Sequence, residues 1–130
     1  MSYENRYSGA ITITPLLTAA EIRRAPGGVG ASAAWDAHLR IDRRETETDA
    51  GTLVVYTADA IVGPEQACSG HEVEAQIRAL VELFAGDHEF AGHIQVDWDP
   101  GFGEPPSRYL VRGRDVVTVK PRLAWPEGSE

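Results

Sequence analysis

Cysteine is almost missing from this 130-residue chain, and lysine nearly so. Cys68 is the single cysteine, so no intrachain disulfide can form, and a reducing cytoplasm is the simplest setting. Its neighbours Gln66, Ala67, Ser69 and Gly70 include no base or cation to activate the thiol, which reads as a small structural residue. Long apolar runs are missing too. No stretch approaches the roughly 20 apolar residues that span a bilayer, and the N-terminal stretch lacks the basic start and apolar run of a leader. The expectation is a soluble cytoplasmic protein with no membrane contact. Neither His-Glu-x-x-His nor paired Cys-x-x-Cys occurs, so no metal or cofactor is expected.

Positive charge is also scarce. Twelve Lys and Arg face twenty Asp and Glu, a net charge of -8. That balance disfavours non-specific contact with phosphate backbones, and it favours solubility or a basic protein partner. Eleven of the twelve cations are arginine and only Lys120 is lysine, which reads as GC-rich coding, hence an actinobacterium or its phage.

What the chain does contain is a phrase that occurs twice. Tyr7-Ser8-Gly9-Ala10-Ile11-Thr12-Ile13 and Phe90-Ala91-Gly92-His93-Ile94-Gln95-Val96 share aromatic, x, Gly, x, Ile, x, β-branched aliphatic. Both alternate with period two and read as strands that show one face to a core. The glycines are expected to admit close approach of a helix or a neighbouring strand. Strand one runs from Tyr7 to Thr14 and ends at Pro15. Thr18-Ala19-Ala20-Glu21 is a capping box, with Leu17 and Ile22 placed as a hydrophobic staple, so a brief helix starts at Ala19. Pro26-Gly27-Gly28 stops it, and a flexible loop follows to Ala34.

Strand two spans Trp35 to Arg44, with Trp35, Ala37, Leu39 and Ile41 on one side. Residues 45–51 read as an acidic hairpin loop. Strand three runs from Thr52 to Val62, with Val54, Tyr56, Ala58, Ala60 and Val62 as its apolar row. Val73, Ile77, Leu80, Val81 and Phe84 fall at helical spacing, with Ser69-x-x-Glu72 as a second capping box. Strand four covers Glu89 to Trp98, strand five Ser107 to Arg112, and strand six Val116 to Trp125, before a tail at about 126–130 expected to be mobile. One domain, 1–130, is long enough to bury roughly two thirds of its unfolded surface. The order β-α-β-β-α-β-β-β predicts an α+β fold: an antiparallel-rich sheet with two helices on one face, a ferredoxin-like split βαβ with a C-terminal β-hairpin extension.

Candidate chemistry follows from the faces. His71 and His88 fall beside helix two and are expected to be exposed. His38 and His93 lie on the strand faces opposite the apolar rows, where Thr12, Arg40 and Gln95 join them; if their strands were neighbours, the two imidazoles would meet on the open sheet face. Arg108, Arg112, Arg114, Lys120 and Arg122 make the C-terminal hairpin locally basic, a candidate patch that a solvated edge resisting aggregation also explains. The aromatics Tyr7, Tyr56, Phe90 and Trp98 share rows with core aliphatics, so a base-stacking platform is not expected and nucleic acid is a minor reading. Asp97-x-Asp99-x-Gly101-x-x-Glu104 matches a calcium loop poorly, lacking its third acidic position. Gly27-Gly28-Val29-Gly30 follows a helix and precedes no lysine, unlike a phosphate loop. No nucleophile, base and orienter are assembled, so a catalytic residue is not assigned.

Tyr-x-Gly-x-Ile-Thr-Ile-Thr-Pro at 7–15, Leu17-Thr18 with Glu21-Ile22, Gly51-Thr52-Leu53, Phe90-x-Gly92, and Pro121-Arg122 with Trp125-Pro126 carry a family resemblance. The chain resembles small uncharacterised proteins of actinobacteria and their phages, grouped as a domain of unknown function. It departs from that pattern at Leu16 and Ala19, where proline and tryptophan are common. The resemblance implies a cytoplasmic or phage accessory role and transfers no activity. The reading is a small acidic non-enzymatic module that binds a protein. The alternatives are a small enzyme on the open sheet face and a nucleic-acid binder through the arginine-rich hairpin.

Overall fold

The computed structural model describes residues 4–25, 34–68 and 72–122. Six strands form one sheet in the order β2-β3-β1-β4-β5-β6, and every neighbouring pair is antiparallel. In chain order these are β1 (Arg6–Leu17), α1 (Ala19–Ile22), β2 (His38–Thr48), β3 (Gly51–Val62), α2 (Val73–Phe84), β4 (Glu89–Asp97), β5 (Ser107–Arg112) and β6 (Asp115–Val119). The ferredoxin-like arrangement with a two-helix layer is therefore corrected: the molecule is mostly a six-stranded antiparallel sheet with two short helices. α1 has only four residues. Pro26 and the glycines behind it leave no sequence to prolong it, while β1, β2 and β3 run 12, 11 and 12 residues, about twice the usual strand.

The doubled phrase explains the centre of the sheet. β1 and β4 pair so that Tyr7 opposes Val96, Gly9 opposes Ile94, Ile11 opposes Gly92 and Ile13 opposes Phe90. Each glycine thus faces the isoleucine of the other copy. Both adopt left-handed φ, 86° and 104°, and a Cβ would stand 2.6 Å from the His93 carbonyl oxygen at Gly9 and 2.5 Å from that of Ala10 at Gly92. Only a residue without a side chain fits there.

Ile11, Ile13 and Leu17 of β1 meet Ile94 and Val96 of β4, Leu39 and Ile61 of the neighbouring strands, and the buried stripe Val73, Ile77, Leu80, Val81 and Phe84 of α2. The first capping box forms as expected: the Glu21 amide donates to Thr18 Oγ1 at 3.3 Å, and the Thr18 amide donates to Glu21 Oε1 at 3.1 Å. Leu17 and Ile22 beside it are both buried. The second box does not carry over, because α2 begins at Val73 with Glu72 as an N-cap that makes no side-chain bond; Ser69, like His71, lies outside the described residues.

The strands differ from the sequence reading at several points. β1 continues through Pro15 to Leu17, across a register shift that spares the proline a regular ladder position. β2 begins at His38, and Trp35 is exposed instead of joining its apolar row. β3 slips phase, since Arg40 opposes Ala60 but Ile41 opposes Ala58, leaving Asp59 as an inserted residue. Ile61 therefore takes the core position that the alternation gave to Ala60 and Val62. β6 stops at Val119; residues 123–130, including the expected end of strand six and the tail, lie outside the described residues, as does the loop at 26–33.

Candidate functional site

Alternation with the buried residues of β1, β2 and β4 places Thr12, His38, Arg40, His93 and Gln95 on the sheet face opposite the core. They share a face but not a place. His38 opposes Val62, Val62 opposes Ala10, and Ala10 opposes His93. Two strands stand between the imidazoles, an offset of about 14 Å from three inter-strand spacings, so the condition on which His38 and His93 would meet, neighbouring strands, is not fulfilled. His38 Nδ1 lies 2.9 Å from the Asp36 carbonyl oxygen, and its Nε2 lies 3.7 Å from Glu65. Arg40 donates to both oxygens of Asp59 at 2.9 and 3.0 Å, and this hydrogen-bonded guanidinium holds the Asp59 carboxyl below its usual range. Thr12 Oγ1 donates to the Ala91 carbonyl oxygen, and Gln95 donates to Asp97 while accepting from Arg108. His38 and Arg40 share a hollow, a shallow depression of about 470 Å³ also bounded by Ser8, Val62 and Glu65.

The basic hairpin is partly engaged where it stands. Arg108 is spent on Gln95, Lys120 lies 3.8 Å from Glu104, and Arg112 opposes Asp115 across the β5–β6 ladder. Arg114 follows Gly113 in the turn and Arg122 lies past the end of β6, both exposed. Asp99 of the calcium-like stretch caps a 3-10 turn: its carboxylate accepts the Gly101 and Glu4 amides, which lower its pKa. Among the described residues no group of three or more His, Cys, Asp and Glu is placed to hold a metal ion. No helix among them is long and apolar enough to cross a membrane.

Three features were not read from the sequence. His88 is buried, not exposed: its Nδ1 sits 2.7 Å from the Pro15 carbonyl oxygen and its Nε2 2.6 Å from Glu21 Oε2. Asn5 is buried as well. It exchanges backbone hydrogen bonds with Cys68 and accepts the Asp99 amide on its side chain, tying the start of the chain to two loops. No local pattern announces either contact, since Glu21 and His88 are 67 positions apart.

The third feature is a projecting ribbon. β3 pairs with β1 only through Ala58, Ala60, Ile61 and Val62, so from Gly51 to Thr57 its sole partner among the described residues is β2. The expected acidic loop is thus strand as far as Thr48, closed by the two-residue turn Asp49-Ala50, with Thr48 Oγ1 donating to the Gly51 carbonyl oxygen at 2.7 Å. Asp42–Arg44 and Arg43–Glu45 ion pairs line it at 2.8 and 2.6 Å. Leu53, Val54 and Val55 are 52, 37 and 42 % exposed. Leu53 and Val55 oppose Thr46 and Arg44 on one face, and Val54 opposes Glu45 on the other. Leu53-Val54-Val55 does not alternate, but an unbroken apolar run is equally the pattern of a strand buried on both faces, so it carried no signal of this exposure.

A family model of unknown function matches residues 1–130. The chain belongs to the family of unknown function DUF6205. No curated protein and no solved structure matches it. In this chain the motifs at 7–15 and 90–92 form the glycine-laced strand pair at the centre of the sheet, and membership of DUF6205 brings no activity with it.

Proposed function

We propose that this protein is a small acidic interaction module without catalytic activity of its own, and that it grips a protein partner with the β2–β3 ribbon. The observation that carries the reading is the exposure of Leu53, Val54 and Val55 on both faces of a two-stranded element. Leu53 and Val55, side by side on one face, offer an apolar surface for a contact, and a lone hairpin is marginal in water without something packed against it. Glu45, Glu47 and Asp49 surround the tip, and together with a net charge of -8 they favour a basic partner. The resemblance to actinobacterial and phage proteins and the excess of arginine over lysine support an accessory role in such a host cytoplasm, acting on a host protein.

The test is capture of partners from an actinobacterial lysate, nuclease-treated, by wild type and by a Leu53→Asp/Val55→Asp variant. The reading expects a partner that wild type retains at moderate salt and the variant loses about thirtyfold or more, the scale of removing an apolar hot spot. Identical retention by both proteins, or turnover of a substrate by the purified chain, would count against it.

A further inference from the structure

We infer that a second copy of this chain pairs with the outer edge of β2, joining two sheets through their ribbons about a two-fold axis. The inference rests on the reading of the ribbon as a contact surface and names one of its occupants. The two edges of the sheet are built differently. β6 has five residues and is followed by Pro121, whose missing N–H blunts an edge against further pairing. β2 has eleven residues and no proline, and among the described residues only β3 pairs with it. Its outward amides and carbonyls form a row that another strand would satisfy.

Charge along this edge selects the strand. Arg40, Arg43 and Arg44 occupy its first part, while Glu45, Glu47 and, in the turn, Asp49 occupy its last. Asp42 alone breaks the pattern, and Arg44 already neutralises it. An antiparallel copy lays the basic part on the acidic part; a parallel copy lays like on like. Geometry then narrows the register. Residues that oppose each other share a face and a hydrogen-bonding direction, and both properties alternate along a strand. Around a two-fold axis a residue must therefore oppose one of the same parity in the other copy. The registers centred on Arg44 and on Glu45 set Arg43 against Glu45 and Glu47 of the second copy, respectively. Symmetry doubles each such pair. The exposed Arg43–Glu45 pair within one chain is worth little in solvent, so exchanging it across the copies costs little.

Sedimentation equilibrium of the full chain from about 1 µM to about 500 µM tests this. Wild type is expected to dimerise with concentration. Arg43→Glu and the double variant Glu45→Arg/Glu47→Arg are each expected to weaken the dimer about tenfold or more, because like charges then oppose each other twice. Both keep the wild-type circular dichroism, and mixing them restores association, since each supplies the charge that the other needs. A chain monomeric throughout the range, a dimer indifferent to both variants, or a mixture that fails to recover would overturn the inference. Monomeric wild type that still loses its lysate partner on Leu53→Asp/Val55→Asp would sink the dimer and leave the proposed function standing. A dimer with no such partner would do the reverse.

Discussion

Replacing Glu21 by glutamine tests the buried contact that ties β1, α1 and the start of β4 together. His88 Nδ1 faces the Pro15 carbonyl oxygen, which can only accept, so the imidazole carries its proton there. Its Nε2 faces Glu21 Oε2 at 2.6 Å, the geometry of an imidazolium against a carboxylate. Burial alone would push the His88 pKa down, but the hydrogen bonds to Glu21 and to the Pro15 carbonyl outweigh it, and the net shift is upward from 6.5. Glu21 is lowered from 4.5, chiefly by the His88 hydrogen bond and then by the Thr18 amide. Glutamine still completes the capping box, so the loss reports on the charge and not on the cap. Removing one member of a fully buried pair costs about 3–5 kcal/mol. The His88 side chain is 4 % exposed but that of Glu21 is 21 %, which brings the expected loss to about 2 kcal/mol, near the value of a charge-assisted hydrogen bond. For a domain of this size that is a Tm lower by roughly 8 °C.

The sign of the pH dependence follows from the two shifts. His88, raised, contributes fully below its unfolded value near 6.5 and loses its contribution as pH rises through its folded value. Glu21, lowered, contributes fully above 4.5 and loses its contribution as pH falls through its folded value. The gap between wild type and Glu21→Gln in urea unfolding should therefore be widest between pH 4.5 and 6.5 and should narrow on either side. A gap that is flat with pH, or that widens in alkali, would refute the ion pair.

Gly9→Ala and Gly92→Ala are each expected to destabilise by about 2–4 kcal/mol, because a Cβ is forced into a left-handed backbone and onto a facing carbonyl; a loss below about 0.5 kcal/mol in thermal unfolding would contradict the register of β1 on β4. His38→Ala and His93→Ala, separated by β3 and β1, should act additively to within about 0.5 kcal/mol, both in stability and in partner capture. A larger coupling in the double variant would reinstate the shared site that the strand order denies.

The parts legible in the sequence are those with a buried face. Ile11 and Ile13, Leu39 and Ile41, and Ile94 and Val96 announce their strands by alternation, and Val73 to Phe84 announce α2 by helical spacing, because in each case the core pulls on one side only. Glu45–Thr48 carried no such signal. Both faces of that segment are exposed, so no period is imposed on it, and an acidic strand is indistinguishable from an acidic loop. The same logic limits the site. Period two assigned Thr12, His38, Arg40, His93 and Gln95 to one face, yet a face is not a neighbourhood, and lateral order depends on pairings between distant segments. His88 and Asn5 were missed for that reason too: their partners lie across the fold.

The inserted Asp59 is where β3 changes occupation. Ala60, Ile61 and Val62 have partners on both sides and are bound into the sheet, whereas the residues before Ala58 have β2 alone. A bulge raises local twist, and this one falls where the ribbon parts from β1. Arg40, which the face pattern offered as a candidate binding residue, grips Asp59 at this corner. Both side chains are about half exposed, 53 and 46 %, so the grip is worth no more than about 1 kcal/mol and does not lock the ribbon in one pose. A two-stranded ribbon held so lightly has little stability of its own. On the proposed reading, a strand added to β2 or a surface laid over Leu53 and Val55 would supply what the sheet does not, which couples the stability of the ribbon to its occupancy.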